Sequence, residues 1–202
     1  MKIYNDLVQG SDEWFAVRLG KLTASKAQQI GNGLSKTGKI GAGLETLCFE
    51  KVAEILSGTR EEGYKNPDME RGNEQETLAR SAYELENNAD VKTVGFIELD
   101  ERVGCSPDGL VGDDGLVEIK CHNNLNFTKL LFSKKIETKY IWQMQMQMYI
   151  AERKWCDYVA FNENFENLIT IRVERDEEAI SKIVEGIELG KTRITEILEG
   201  CK

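Results

Sequence analysis

Two segments place charged side chains where a buried strand is expected. The first is Ser106-Pro107-Asp108-Gly109, and the second is Glu118-Ile119-Lys120, which follows apolar residues 116 and 117. Side chains two residues apart on a strand point to the same face, so Glu118 and Lys120 share a face and Ile119 points to the other. Burying two charges is costly unless they pair or bind a metal ion. The spacing therefore indicates a functional site on this strand.

A turn rich in Asp and Gly, residues 109–115, separates the two segments. A hairpin there would bring the Asp108 carboxylate beside Glu118. Two carboxylates and a backbone carbonyl make a site for a hard cation with open water positions, which suits hydrolysis of a phosphate ester. Lys120 would then orient the attacking water, lower its pKa and stabilise the transition state. The alternative is an exposed Glu–Lys pair on an edge strand, but the preceding Pro-Asp-Gly and the apolar strand favour the site.

Composition limits the kind of metal site. The only histidine is His122, which excludes sites that need two or three histidines from one chain. The five cysteines are scattered without a C-x-x-C pair, which favours simple thiols over a zinc or iron–sulfur site. Metal ligands would therefore be carboxylates and backbone oxygens, which suit magnesium, calcium or manganese.

The overall charge and hydropathy bear on partners and location. The net charge of −9 argues weakly against nucleic-acid binding, because a whole-chain sum does not describe a local patch. No apolar run is long enough to span a membrane, and the N-terminus lacks the apolar stretch of a signal peptide. The expected location is the cytoplasm.

Hydrophobic periodicity predicts blocks of helices and strands around this site. A helix start at Ser11-Asp12-Glu13 and a short helix at Thr23-Ala24-Ser25 precede a mobile loop over 31–43. Further helices are expected over about 44–57, 68–88, 126–134, 140–154 and 178–202. Strands are expected over 91–99, 102–106, 109–112, 115–120, 156–162 and 167–174. The last helix is amphipathic, with a buried face of Ile180, Ile183, Val184, Ile187, Ile194, Ile197 and Leu198.

This order predicts an α/β fold with a small central mixed β-sheet flanked by helices. The chain contains two prolines and no low-complexity linker or internal repeat. A single domain spanning residues 1–202 is therefore expected.

The motifs together resemble the phage lambda exonuclease and YqaJ-type viral recombinase family of the PD-(D/E)XK nuclease superfamily. The resemblance covers roughly residues 10 to 175. Its order and spacing are more specific than any one piece, and the chain differs in the 31–43 loop and the long C-terminal helix. The matching pieces are Trp14-x-x-x-Arg18-Leu19-Gly20, Thr23-Ala24-Ser25, Gly72-x-x-x-Glu76, Ser106-Pro107-Asp108-Gly109, Glu118-Ile119-Lys120-Cys121, and Tyr140 followed by Gln143-x-Gln145.

The resemblance implies a PD-(D/E)XK nuclease-like core and a set of residue roles. It implies metal ligands at Asp108, Glu118 and the carbonyl of Ile119, with Lys120 as the catalytic lysine. It adds two polar residues to the catalytic set and three residues that would hold the terminal 5′-phosphate of DNA. The catalytic additions are Glu76 and Gln143, and the phosphate-binding residues are Arg18, Ser25 and Ser106.

Residue type alone also allows interpretations of these residues that involve no function. Glu76 belongs to an acidic segment that could be a solvated helix face. Gln143 and Gln147 share a helix face and could form a polar surface stripe. Arg18 could be a surface salt-bridge arginine, and His122 is expected to be incidental, although it follows Lys120 by two residues.

The resemblance implies a 5′-to-3′ exonuclease on double-stranded DNA ends that uses two Mg²⁺ ions per active site, with Mn²⁺ as the alternative. It also implies a phage or prophage recombination enzyme in a bacterial host cell, a ring-shaped homotrimer and a single-strand annealing protein as partner. Two other functions remain open from the residues. One is a restriction- or repair-type endonuclease on the same core, and the other is a non-catalytic DNA-binding module.

Overall fold

The structure is a computed structural model that describes residues 1–35, 38–60 and 67–202. Helices and strands follow one another in blocks along the chain. The helices are α1 Asp12–Arg18, α2 Ala27–Gly31, α3 Ala42–Ser57, α4 Pro67–Asn87, α5 Asn124–Ser133, α6 Thr138–Ile150 and α7 Glu177–Gly200, with a 3₁₀ turn at Ala24–Lys26. The strands are β1 Lys2–Tyr4, β2 Leu22–Thr23, β3 Val91–Lys92, β4 Phe96–Asp100, β5 Val103–Cys105, β6 Gly109–Val111, β7 Gly115–Cys121, β8 Trp155–Phe161 and β9 Ile169–Glu174.

The strands form two mixed sheets where the sequence predicts one. The first has the order β1-β4-β5-β2, with β2 parallel to β5, and the second has the order β3-β6-β7-β8-β9, with β7 parallel to β8. The predicted strand over 91–99 is divided between the sheets, because β3 pairs with β6 while β4 pairs with β1 and β5. The break includes Gly95, where a Cβ would lie 2.2 Å from the carbonyl oxygen of Leu7. This close passage of the N-terminal segment is a long-range contact that local periodicity does not reveal.

The hairpin predicted at the functional strands is present. Strands β6 and β7 pair antiparallel, with Gly109 opposite Val117, so Asp108 and Glu118 face one another just beyond the last paired residues. On its other side β7 pairs with β8, with Glu118 opposite Tyr158. The centre of β7 is therefore covered by a strand on each side, and Glu118 is fully buried.

Helix α6 lies against both sheets, contacting β4 and β5 of the first and β8 of the second, and it also contacts α2 and α7. Its three methionines, Met144, Met146 and Met148, are completely buried, as expected for core residues. The predicted C-terminal helix is confirmed as α7, which Asp176 caps through hydrogen bonds from Glu178 N and Ala179 N. Most of its predicted buried face is buried, although Val184 and Leu198 are half-buried.

The loop predicted over 31–43 is shorter at both ends than expected. Gly31 closes α2 and α3 begins at Ala42, and between them a bridge pairs Leu34 with Ile40. Residues 36 and 37 of the predicted loop lie outside the described residues. Gly58 ends α3 in the left-handed conformation, which glycine adopts readily at the end of a helix. Within the described residues, no helix is both long and apolar enough to cross a membrane.

Candidate active site

Asp108 and Glu118 are held together by the backbone of the hairpin. Asp108 Oδ2 accepts a hydrogen bond of 2.6 Å from the backbone N–H of Ile119. In an extended strand the N–H and C=O of one residue point to the same side. The Ile119 carbonyl therefore faces the same side of β7 as the Asp108 carboxylate, so two carboxylates and this carbonyl share one corner of the sheet.

Three side-chain donors surround the Glu118 carboxylate. Lys120 Nζ donates to Oε1, as expected for two residues on one face of the strand. Gln143 Nε2 donates to the same oxygen at 2.6 Å, and Gln147 Nε2 donates to Oε2 at 2.7 Å. The glutamines lie one turn apart on α6, so this helix supplies two of the three donors. The polar surface stripe considered for them is wrong, because Gln147 is fully buried and both amides point at Glu118.

Glu76 approaches this cluster from α4, which packs against β7. Its Oε1 accepts a hydrogen bond of 2.5 Å from Arg80 Nη2, one helical turn away. Its charge interacts with those of Lys120 and Glu118, which places it beside the cluster without a direct hydrogen bond to either. Glu76 is therefore not part of a fully solvated helix face.

The cluster carries more negative charge than its cations neutralise. Burial raises the pKa of Asp108 well above its usual range, and the charge of Glu118 raises it further. Burial also raises the pKa of Glu76. Burial lowers the pKa of Lys120, but the attraction of Glu118 and Asp108 outweighs it, so the net pKa is raised. With Lys120 on Glu118 and Arg80 on Glu76, the Asp108 carboxylate has no cation of its own among the described residues.

This donor set fits a hard divalent cation. Carboxylate and carbonyl oxygens are the ligands that Mg²⁺ prefers, and the excess charge at Asp108 gives the cation an electrostatic reason to bind. Ionised Glu118 has about four lone-pair positions, of which three accept hydrogen bonds, so one remains. In the described part of the chain, no group of three or more His, Cys, Asp or Glu side chains is placed to hold a metal. The remaining coordination positions of the ion would be filled by the Ile119 carbonyl and by water molecules, because Mg²⁺ usually keeps several of its waters.

A second polar corner is built around Ser106, two residues before Asp108. The Ser106 hydroxyl accepts from Arg18 Nη1 at 3.1 Å and from Trp14 Nε1 at 2.9 Å, and it donates to the Gly95 carbonyl at 2.8 Å. The Arg18 guanidinium lies 4.0 Å from the centre of the Trp14 ring, a cation–π contact one turn along α1. Burial lowers the pKa of Arg18 to about 10, which leaves it charged at neutral pH. The surface salt-bridge alternative for Arg18 is wrong as far as the described residues go, because its contacts among them are the Trp14 and Phe96 rings and the Ser106 hydroxyl.

Ser25 completes the predicted phosphate-binding set. It is exposed in the 3₁₀ turn, with its hydroxyl 3.2 Å from that of Thr23. Arg18 and Ser25 line one open cavity of about 680 Å³, so the structure brings these two together, and Ser106 joins them through Arg18. The cavity also contains the cations Lys26, Lys51 and Arg60 and the carboxylates Glu50 and Glu54. Among the described residues, its lining therefore carries more cations than carboxylates, in a chain whose overall charge is −9.

Two features of the site have no specific signal in the sequence. Gln147 contacts both Glu118 and, at 3.4 Å, the Ser106 carbonyl, and only its position one turn after Gln143 connects it with the site. His122 Nε2 forms a hydrogen bond of 2.7 Å with the Tyr158 hydroxyl, and burial lowers the His122 pKa. This bond directs the imidazole to the neighbouring strand β8.

The fold and the comparisons with known proteins define the class as a DNA nuclease with a PD-(D/E)XK-type fold. The chain belongs to the YqaJ-like viral recombinase domain family, whose family model matches residues 13–154. The motif resemblance is thereby confirmed.

Solved structures agree with this assignment. An alkaline exonuclease from Laribacter hongkongensis, LHK-Exo, is 35% identical over 95% of this chain and 96% of its own, with a TM-score of 0.84. A structure of LHK-Exo in complex with dAMP is 34% identical over the same shares, with a TM-score of 0.85. A phage-related exonuclease from Haemophilus somnus 129PT shares the fold at 18% identity, with coverage of 90% and 96% and a TM-score of 0.69. No curated protein sequence gives a significant match.

Proposed function

We propose that this chain is a magnesium-dependent exonuclease that degrades one strand of double-stranded DNA in the 5′-to-3′ direction. The observation that carries the proposal is the pair formed by the partly buried Asp108 and the fully buried Glu118, with Lys120 bound to the Glu118 carboxylate. We assign Asp108, Glu118 and the Ile119 carbonyl as ligands for Mg²⁺, two ions per active site, with Mn²⁺ as the alternative.

The bound ions would neutralise charge on the scissile phosphate and make water a stronger nucleophile. Lys120 keeps its charge in the cluster, so it holds the attacking water by a hydrogen bond and stabilises negative charge in the transition state. Gln143 fixes one Glu118 oxygen and lines the site. Glu76 adds negative charge from α4 beside the same corner.

The polar corner around Ser106, to which Arg18 belongs, supports recognition of a DNA end. A guanidinium presents a planar fork that matches phosphate oxygens, and the Trp14 ring holds it in place. Ser25 adds a hydroxyl to the cavity that Arg18 lines, and the Ser106 hydroxyl holds the Arg18 guanidinium by accepting its hydrogen bond. We assign these three residues to the terminal 5′-phosphate. Because Ser106 lies two residues from Asp108, an anchored 5′ end would present a nearby phosphodiester bond to the catalytic cluster.

The likeness to LHK-Exo over nearly the whole chain supports exonuclease rather than endonuclease activity and a single nuclease domain over residues 1–202. The complex of that enzyme with dAMP agrees with release of mononucleotides. Membership of the viral recombinase family supports a phage or prophage recombination role in the bacterial cytoplasm. We extend the proposal to a ring-shaped homotrimer that exposes a 3′ single strand for an annealing protein.

Digestion of linear duplexes labelled at the 5′ or the 3′ end tests this function. With Mg²⁺, the 5′ label is expected to be released early as a mononucleotide while the 3′ label stays in long fragments. Without Mg²⁺, both labels are expected to remain in full-length DNA. Early release of the 3′ label would contradict the proposed direction.

Covalently closed circular duplex is the matched substrate without ends. It is expected to survive under conditions that degrade the linearised form completely. Cleavage of the closed circle would favour the restriction- or repair-type endonuclease. Failure to degrade either form, in a protein that still binds DNA, would favour the non-catalytic module.

A further inference from the structure

Gln147 has the environment of a functional group rather than of a packing residue. Its side chain is completely buried, and its Nε2 donates to Glu118 Oε2 at 2.7 Å and to the Ser106 carbonyl oxygen at 3.4 Å. Its own carbonyl oxygen, Oε1, is buried and accepts no hydrogen bond from the described residues. A buried acceptor without a donor costs free energy, so a stable core alone would favour an apolar residue here.

The orientation of this amide follows from its neighbours. Both atoms close to Nε2 are oxygens that only accept hydrogen bonds, one from a carboxylate and one from a peptide carbonyl. Reversing the amide would place Oε1 against those two oxygens. The donor must therefore face Glu118, and the unsatisfied Oε1 is the consequence of this arrangement.

We infer that Gln147 is a positioning residue that fixes the Glu118 carboxylate in the orientation needed for metal binding. Lys120 and Gln143 both donate to Oε1, so Gln147 is the described residue that restrains Oε2. With one oxygen held from each side, the carboxylate cannot rotate about its terminal bond. This inference rests on the proposed function, since it concerns the ligand geometry of the same metal site.

The two contacts of Gln147 differ in strength. A hydrogen bond of 2.7 Å to a carboxylate is short and charge-assisted, whereas 3.4 Å to a neutral carbonyl lies beyond the usual range. Gln147 is therefore expected to act through Glu118, and its loss should leave recognition of the terminal phosphate at Ser106 and Arg18 unchanged.

Gln145 offers a matched control on the same helix. It is also a buried glutamine with two hydrogen bonds, from Nε2 to the Glu174 carbonyl at 2.8 Å and from Asp176 N to Oε1 at 2.9 Å. These bonds join α6 to the junction of β9 and α7, away from Glu118. Gln145→Met and Gln147→Met thus remove the same chemical group from the same helix, but only the second touches the site.

The test is calorimetric titration of Ca²⁺ into the full chain without DNA, because this measures metal binding without turnover. Gln147→Met is expected to weaken Ca²⁺ binding about 10- to 100-fold, the usual effect of losing a group that orients a metal ligand. Gln145→Met is expected to bind Ca²⁺ as the wild type does, even if its melting temperature falls. Gln147→Asn, which shortens the amide, is measured in the same way and replaces Gln147→Met if that variant does not fold.

Hydrolysis supplies a second readout. The rate of Gln147→Met is expected to fall, to recover in part at high Mg²⁺, and to keep the wild-type ratio between 5′-phosphate and 5′-hydroxyl ends. Wild-type Ca²⁺ affinity in folded Gln147 variants would overturn the inference, as would loss of the end preference with unchanged metal affinity. A wild-type protein that binds no divalent metal would instead overturn the proposed function.

Discussion

The guanidinium of Arg18 is stacked on the indole ring of Trp14, and both side chains donate to the Ser106 hydroxyl. The stacking comes from their spacing of one helical turn on α1. Because the aromatic ring rather than a carboxylate holds the guanidinium, its hydrogen-bonding edge stays available to an anion. This relationship is the physical basis of the 5′-phosphate recognition that we propose.

Arg18→Ala is expected to remove most of the preference for duplexes with a 5′-phosphate over those with a 5′-hydroxyl. Arg18→Lys should restore only part of it, because an ammonium group lacks the planar fork. The rate on 5′-hydroxyl ends should change much less. Single-turnover rates on both substrates provide the measurement. If Arg18→Ala slows both substrates equally, or neither, Arg18 does not hold the phosphate.

Calcium is expected to support DNA binding but little cleavage, because it binds with looser geometry and activates water poorly. Fluorescence anisotropy with labelled duplex should give comparable affinities in Ca²⁺ and Mg²⁺. Denaturing gels of the same mixtures should show products only with Mg²⁺. Comparable cleavage rates in the two metals would contradict the proposed role of the metal site.

DNA affinity is expected to fall steeply with salt despite the net charge of −9. Each phosphate neutralised contributes about 0.9 to the slope of log affinity against log salt concentration. Exposed lysines are candidates for these contacts, and Lys36, a further candidate, lies outside the described residues. The described candidates are Lys39, Lys129, Lys134 and Lys135.

Lys129→Gln should reduce this slope by about 0.9, the contribution of one phosphate contact. Lys154→Gln serves as its control, because Lys154 is paired with Asp114 in the turn of the β6–β7 hairpin, at the end away from Asp108 and Glu118. If the DNA affinity of the wild type does not change with salt concentration, its DNA-binding surface has no local excess of positive charge.

The contact between α2 and α7 depends on a glycine. A Cβ at Gly186 would lie 1.9 Å from the backbone carbonyl oxygen of Ile30, whereas a Cβ at Gly200, on the same helix, would meet nothing within 4 Å. Gly186→Ala is therefore expected to destabilise the protein by about 1–3 kcal/mol through overpacking. Gly200→Ala should stay within about 0.5 kcal/mol of the wild type. Urea unfolding measures both, and equal stabilities would contradict the close helix contact.

The central part of the site was predictable because its geometry is local. Strand alternation places Glu118 and Lys120 on one face, and a short turn brings Asp108 opposite them, so the sequence pattern of a single hairpin contains the arrangement. The long α7 helix was predictable for a similar reason, since its buried residues follow one helical stripe.

The remaining features depend on contacts between distant segments. Strands β1 and β2 contain three and two residues, too few for a periodic signal, and each is defined by pairing with β4 or β5 about 80 or more positions away. The burial of Gln147 depends on how α6 packs between the two sheets. The sequence does not distinguish Gln147 from other polar residues, because its contact with Glu118 is made only by the tertiary fold.

The most direct test of the account is single-turnover hydrolysis by Asp108→Ala, Glu118→Ala and Lys120→Ala. Asp114→Ala is the control, because Asp114 lies in the turn of the same hairpin and pairs with Lys154 at the surface. We predict that each of the three site variants folds, as judged by circular dichroism, and hydrolyses linear duplex at least about 100-fold more slowly than the wild type. Asp114→Ala should retain the wild-type rate. Near wild-type hydrolysis by any of the three folded site variants would contradict the assignment of this cluster as the active site.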